Sequence, residues 1–280
     1  MPFLICSARL STTVVHTFEN FKHSYWKNGK PIFAPSEKGT ELGLKIKRKV
    51  AKLHKFDHFI YHFKDGTHVK ALHLHRPNAF FCRVDIEKFF YSISRNRVRR
   101  ALRDIGIRKA EQFAKWSTVK DPFSGASYVL PYGFIQSPIL ATLVLTTSAV
   151  GSYIRGLPST ITATVYMDDI CLSGNDEAEL WDAFNGLKEA LEEAGFTLNA
   201  GKCREPSATI DIFNCSLTTG ATEVLPERID EFFEVERTDF SVEAFETYCN
   251  IVKSHTWRSG KKKRKVRRSV RVAVAPKAGA

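Results

Sequence analysis

Ile161-Thr162-Ala163-Thr164-Val165-Tyr166-Met167-Asp168-Asp169-Ile170-Cys171-Leu172 sets two adjacent acids between two short apolar runs. Both runs are rich in β-branched residues and too short for helices, so they read as strands joined by a tight turn. Such a hairpin carries both carboxylates at its tip. Neighbouring acids there repel one another unless positive charge lies between them. A second strand-like run, Phe80-Phe81-Cys82-Arg83-Val84-Asp85-Ile86, ends in a third acid. If the two strands are neighbours, Asp85 and Asp168 converge. Converging carboxylates suit Mg²⁺, which takes oxygen ligands and shares them with substrate phosphates. Two such ions stabilise the attacking and leaving oxygens of an in-line phosphoryl transfer. Taken alone, Asp168-Asp169 reads equally as a solvated turn.

Working outward, Ser94 is placed to cap a helix over 95–105, and a second helix is expected near 108–117. Asp121 to Leu130 is turn and hairpin material. Ser137-Pro138 opens one long apolar helix through about Ile154. Glu177 to Ala194 carries Leu180, Phe184, Leu187 and Leu191 at helical spacing. Phe196–Leu198 and Ala208–Phe213 read as strands. From Phe80 to Phe213 the order is strand, helices, strand pair, helix, strand, which predicts a split βαβ sheet in an α+β fold. Upstream, Ser36 to Gly39 looks like a turn, and Glu41 to His62 a helix. Asp65-Gly66 signals a hairpin between Phe59–Phe63 and Val69–Leu74. Residues 218–250 hold nine acids against two arginines and read as helical.

The 280 residues carry a net charge of +12, which points to an anionic partner. Ten Lys or Arg and no acid fall within 258–280, so the rest of the chain is nearly balanced. Lys261, Lys262, Lys263, Arg264, Lys265, Arg267 and Arg268 form a run that binds RNA or DNA by releasing counter-ions. A nuclear-import signal or a solubilising tail are the alternatives. Six cysteines show no CxxC spacing, consistent with reduced thiols in a cytoplasmic protein. No stretch reaches the ~20 apolar residues of a membrane span, so no membrane partner is expected. His54, His58 and His62 stand at helical spacing, but nothing beside them completes a zinc site.

Four motifs, in order, resemble those of reverse transcriptases. Val84-Asp85-Ile86-Glu87-Lys88-Phe89-Phe90-Tyr91-Ser92-Ile93 is similar to their first catalytic motif. Leu130-Pro131-Tyr132-Gly133-Phe134-Ile135-Gln136-Ser137-Pro138 resembles the next, and Tyr166–Asp169 the metal-binding one. Gly195-Phe196-Thr197-Leu198-Asn199-Ala200-Gly201-Lys202 resembles the motif that follows. The resemblance implies a right-hand polymerase. Residues 1–84 would be the N-terminal part of the fingers, and 85–215 the palm, with a fingers insertion at about 95–130. Residues 216–257 would be a reduced thumb and 258–280 a basic tail.

By position, the resemblance makes Asp85, Asp168 and Asp169 the catalytic metal ligands, aided by the Ile86 carbonyl. The cofactor would be two Mg²⁺ ions, with Mn²⁺ as a substitute. Phe90 falls where the family places a ring that excludes a 2′-hydroxyl. Tyr132, Gly133, Gln136 and Lys202 would border the nucleotide. Lys70 and Arg76 resemble the fingers cations that grip a triphosphate. Tyr132 departs from the family's usual Gln, and Asn78-Ala79 lacks the His that follows in retron enzymes.

The Tyr132–Pro138 version looks more like the defence-associated and uncharacterised bacterial reverse transcriptases, which places the chain by resemblance in the broader retron and defence-associated group. That implies an RNA-directed DNA polymerase working on a dedicated non-coding RNA in anti-phage defence. Its partners would be that RNA template, dNTPs and the DNA product, with a protein partner or a second copy as further candidates. Protein-primed or untemplated DNA synthesis on the same fold, and a non-catalytic RNA-binding scaffold, are the rival readings.

Overall fold

The computed structural model describes residues 20–254. It begins with an antiparallel hairpin, β1 (Phe21–Lys27) and β2 (Lys30–Pro35), followed by helix α1 (Glu37–Leu53). Ser36 caps α1 by accepting from the Gly39 N–H at 3.0 Å, so Ser36–Gly39 is the helix start and not a free turn. Leu42, Ile46 and Val50 face inward on α1. Each contributes roughly 1.5–3 kcal/mol of burial.

The expected hairpin after Asp65-Gly66 is instead helix α2 (Thr67–His75). Gly66, at φ 87, turns the chain into it. Val69, Leu72 and His75 are buried at threefold spacing, which is helical, although residues 69–74 also alternate.

Strand β3 (Phe80–Asp85) precedes α3 (Arg95–Asp104), capped by Ser94, and α4 (Ala110–Ser117). A small ladder follows, β4 (Val119–Lys120) with β5 (Tyr128–Val129). The single helix expected over 137–154 is two, α5 (Ser137–Thr146) and α6 (Ala149–Gly156), bent by 63°. Three successive hydroxyls cause the break. Thr146, Thr147 and Ser148 donate back to the carbonyls of Thr142, Leu143 and Leu145, competing with the helix ladder. Arg155 then binds the Thr146 carbonyl through both Nη atoms at 3.1 Å. No single helix among the described residues is long and apolar enough to cross a membrane.

Strands β6 (Thr162–Tyr166) and β7 (Asp169–Gly174) lead to α7 (Glu177–Glu193) and β8 (Arg204–Ser207). They form an antiparallel sheet ordered β6-β7-β3-β8, the split βαβ arrangement. Phe196–Leu198 supplies only a bridge from Leu198 to Ile86. Cys82, Val84, Ile170 and Leu172 face α5, α6 and α7 in the main core. Phe81 and Cys171 face a second core on the other side of the sheet. That core is closed by α2 and by a sheet of β9 (Thr209–Ile212), β10 (Cys215–Thr218) and β11 (Ala221–Val224). Residues 218–250 are therefore not wholly helical. Strand β11 precedes α8 (Pro226–Phe233) and α9 (Asp239–Lys253). The basic tail lies outside the described residues.

His75 is fully buried between Ser173 Oγ (2.6 Å) and Thr164 Oγ1 (2.8 Å), and burial lowers its pKa to about 3. Burial likewise brings His62 down to about 4. Below ~6.5 the unfolded chain binds protons that the native chain refuses, so stability falls as pH drops towards 4. The expected slope is about 1.4 kcal/mol per pH unit for each histidine. Urea denaturation across this range checks it. His75→Gln should flatten the slope, and an unaltered slope would reject this account.

Candidate active site

The three acids meet because register and turn place them together. Asp85 and Asp169 stand directly opposite one another in the β3–β7 ladder. The Ile86 N–H donates to the Asp168 carbonyl at 3.1 Å, which closes the hairpin tip onto the end of β3. The Asn199 N–H donates to the Asp85 carbonyl at 2.9 Å from the other side. Met167, at the tip, has φ 60, a conformation that costs a non-glycine residue about 1 kcal/mol or more. Its N–H donates to His62 Nδ1 at 3.2 Å. His62 therefore carries its proton on Nε2 and donates to Thr142 Oγ1 at 2.8 Å. His62 is thus a brace for the acidic turn and not an exposed zinc candidate.

The carboxylates are buried beside cations. Asp85 is only 2% exposed. Burial raises the Asp168 pKa and Asp85 adds to the rise, while Lys30 and Lys202 oppose it. Burial takes Asp169 to about 6, against the pull of Arg83. Arg83 reaches Asp169 Oδ1 through Nε (2.7 Å) and Nη2 (2.6 Å), and Nη2 lies 3.8 Å from Asp85 Oδ2. Lys202 Nζ is 3.7 Å from the same Asp85 oxygen. Lys30, Asp85, Ile86, Lys88, Tyr132, Asp168, Asn199 and Lys202 border a common cleft of about 210 Å³.

Phe90 packs edge-to-face on Tyr132, with ring centroids 4.7 Å apart; Tyr132 borders the cleft, while Phe90 packs against the main core. Lys30 Nζ stands 5.1 Å over the same Tyr132 ring.

Four of the residues assigned to nucleotide contact are placed differently. Arg76 is buried at the opposite end of the sheet, where it donates from Nε to Thr222 Oγ1 (3.0 Å) and from its Nη atoms to the Val252 and Ser254 carbonyls. It ties α9 and β11 to the C-terminal end of α2, and β3 runs between it and Asp85. Lys70 is exposed on α2 near Lys64 and does not border the cleft. Gly133 does allow a close backbone approach, but to β2: a Cβ there would lie 2.2 Å from the Phe33 carbonyl oxygen. Gln136 is buried between α1 and α4, against Gly43 and donating weakly to Ser117 Oγ at 3.4 Å.

Sequence reasoning missed Lys30, Arg83 and His62. Arg83 had a signal: two residues before Asp85 on a strand is the same face. Lys30 had only the Asn28-Gly29 turn, which marks a hairpin but not where its tip points.

The donor set fits divalent metal ions, being all carboxylate oxygen with burial only partly offset by neighbouring cations, so further positive charge is favoured there. Among the described residues no trio of His, Cys, Asp or Glu encloses an ion unaided. Phosphate oxygens of a substrate would have to complete the coordination, as Mg²⁺ commonly requires.

Residues 27–218 match the family model described as reverse transcriptase (RNA-dependent DNA polymerase). A stretch of 105 residues is 29% identical to the Pro-Pol polyprotein of feline foamy virus, covering 36% of this chain and 8% of that protein. Among solved structures, a foamy viral protease-reverse transcriptase bound to double-stranded DNA superposes with TM-score 0.46 at 18% identity, covering 79% of this chain and 33% of that one. Telomerase from Candida albicans superposes with TM-score 0.49 at 13% identity, covering 67% and 38%. The chain thus spans well under half the length of each of these relatives.

Proposed function

The chain belongs to the reverse transcriptase family, and from that membership we propose that it is an RNA-directed DNA polymerase acting through the cleft around Asp85. The observation that carries this reading is the facing pair Asp85 and Asp169, with Asp168 beside them at the tip of the hairpin. Asp85, Asp168 and the Ile86 carbonyl would hold the metal ions, with Asp169 as a further ligand. When bound, a pair of Mg²⁺ ions supplies charge neutralisation at the attacking 3′-hydroxyl and at the pyrophosphate leaving group.

The chain's own residues do the rest. Lys30 and Lys202 both border the cleft and bind the triphosphate oxygens, as ammonium groups do. His62 holds the acidic turn in its unusual backbone shape. Tyr132 borders the cleft, and Phe90, packed against its ring, is assigned the exclusion of a 2′-hydroxyl. In this reading β1, β2, α1 and the 95–130 segment are fingers. The sheet β6-β7-β3-β8 with its helices is the palm, and α8 and α9 are the thumb.

The direct test is incorporation of labelled dNTPs with Mg²⁺ on a primed RNA template, followed by product sequencing. Product complementary to the template supports the proposal. Product of unrelated sequence shifts it to untemplated synthesis, and no product rejects it. Phe90→Ala should relax sugar selection by about tenfold or more, since steric exclusion of a hydroxyl costs on the order of 1.4 kcal/mol or more. Single-nucleotide insertion with rNTP against dNTP reads this out, and an unchanged ratio removes Phe90 from the role.

The finer proposal is a cytoplasmic bacterial enzyme that copies a dedicated non-coding RNA in anti-phage defence. It rests on the likeness of Tyr132–Pro138 to that group. Sequencing the nucleic acid that copurifies with the protein tests it, and a random cellular RNA population would count against it.

A further inference from the structure

A second hollow of the described molecule lies away from the catalytic cleft. It is a groove of about 910 Å³ between the outer face of α1 and the turn joining α3 to α4. One wall is Lys45, Arg48, Lys49 and Lys52, a single stripe along α1. Its four cations lie within about 10 Å of helix axis. The other wall is Arg108 and Lys109, presented by a turn at Gly106, whose φ is +78. The floor is apolar, Ile107 and Phe113. The only acid bordering the groove, Glu41, is engaged by Lys38 at 3.1 Å.

All six cations are exposed, and among the described residues none is paired with a carboxylate. The groove shares no residue with the catalytic cleft. A solvated lysine face is usually convex and interleaved with acids. Here two separate segments bring like charges together over an apolar floor, and self-repulsion disfavours that unless an anion compensates. The α1–α4 packing fixes the two walls, so the groove is preformed.

We propose that this groove is a second RNA-binding site, which holds the sugar-phosphate backbone of an RNA strand outside the cleft. A flexible polyanion, with a charge on every nucleotide, matches two facing cationic walls of unpaired lysines and arginines. The inference deepens the polymerase reading, because it gives the RNA a hold on the fingers that is independent of synthesis.

The test uses the full chain with Lys45→Gln, Arg48→Gln, Lys49→Gln and Lys52→Gln combined. The probe is fluorescein-labelled poly(U) RNA, titrated at several salt concentrations. If each side chain meets one phosphate, the slope of log K against log salt falls by about 3, and affinity falls on the order of a hundredfold at ~0.15 M salt. Extension of a primed duplex too short to reach the groove should be unchanged. A second variant, Arg108→Gln with Lys109→Gln, attacks the opposite wall and should lower the slope by about 1.4. Melting temperatures confirm that both variants are folded. An unchanged slope in both folded variants overturns the proposal. Intact RNA affinity with a changed sedimentation coefficient overturns it in favour of an acidic protein surface or a second copy. Failure of the unaltered chain to extend the short duplex while the slopes still change would instead reject the polymerase reading and leave the groove assignment standing.

Discussion

Asp168→Ala is expected to lower nucleotide incorporation by at least about a thousandfold while leaving RNA affinity within about twofold. The side chain lies at the tip of the β6–β7 hairpin, in the cleft shared with Asp85 and Lys202. Its removal takes away an oxygen donor that no neighbour can replace, because Asp169 is already engaged by Arg83. Folding should not suffer. The Asp168 carboxylate is buried against Asp85 and its pKa is raised by both burial and that neighbour. Relieving the repulsion should leave the melting temperature equal or slightly higher. Single-turnover extension, filter binding and thermal melting together separate a lost metal ligand from a lost fold. Undiminished synthesis would reject the site assignment, and a collapse in stability would show the acid to be structural.

The acids were readable because their signal is local. Each sits at the end of an apolar run whose strand character follows from its composition, and the sheet joins the ends. The split βαβ order was readable for the same reason, since strands and helices alternate with clear periodicity from Phe80 onward. What failed was long-range or periodically ambiguous. Residues 69–74 satisfy both a strand and a helix pattern, and the burial of Val69, Leu72 and His75 against the second core decides for the helix. The α5–α6 bend turns on three hydroxyls that look unremarkable in a long apolar run. Arg76 reads as a free cation until strands β10 and β11, which were not foreseen, bring Thr222 to it. Gln136 lies in a motif that resembles a nucleotide site, yet Gly43 on α1 leaves just the space its amide fills. A motif gives the residue, and only packing gives its direction.

Arg83 carries the other large effect, and it acts on stability as much as on chemistry. Its guanidinium spans Asp169 and approaches Asp85, while Nη1 donates to the Asp211 carbonyl at 3.3 Å. Arg83 and Asp169 are both about five-sixths buried. Removing one member of such a pair leaves the other charge uncompensated, at a cost of roughly 3–5 kcal/mol. Arg83→Met keeps the aliphatic bulk and removes the charge, so its loss should fall in that range in urea denaturation. Asp169→Asn in the same background removes the stranded acid and should recover most of the loss. The double variant should nevertheless remain defective in incorporation, because one carboxylate of the three is gone. A coupling energy near zero in this cycle would mean that Arg83 and Asp169 are held by their strands independently. The guanidinium would then be a bystander, and the acids would owe their closeness to the β3–β7 register alone.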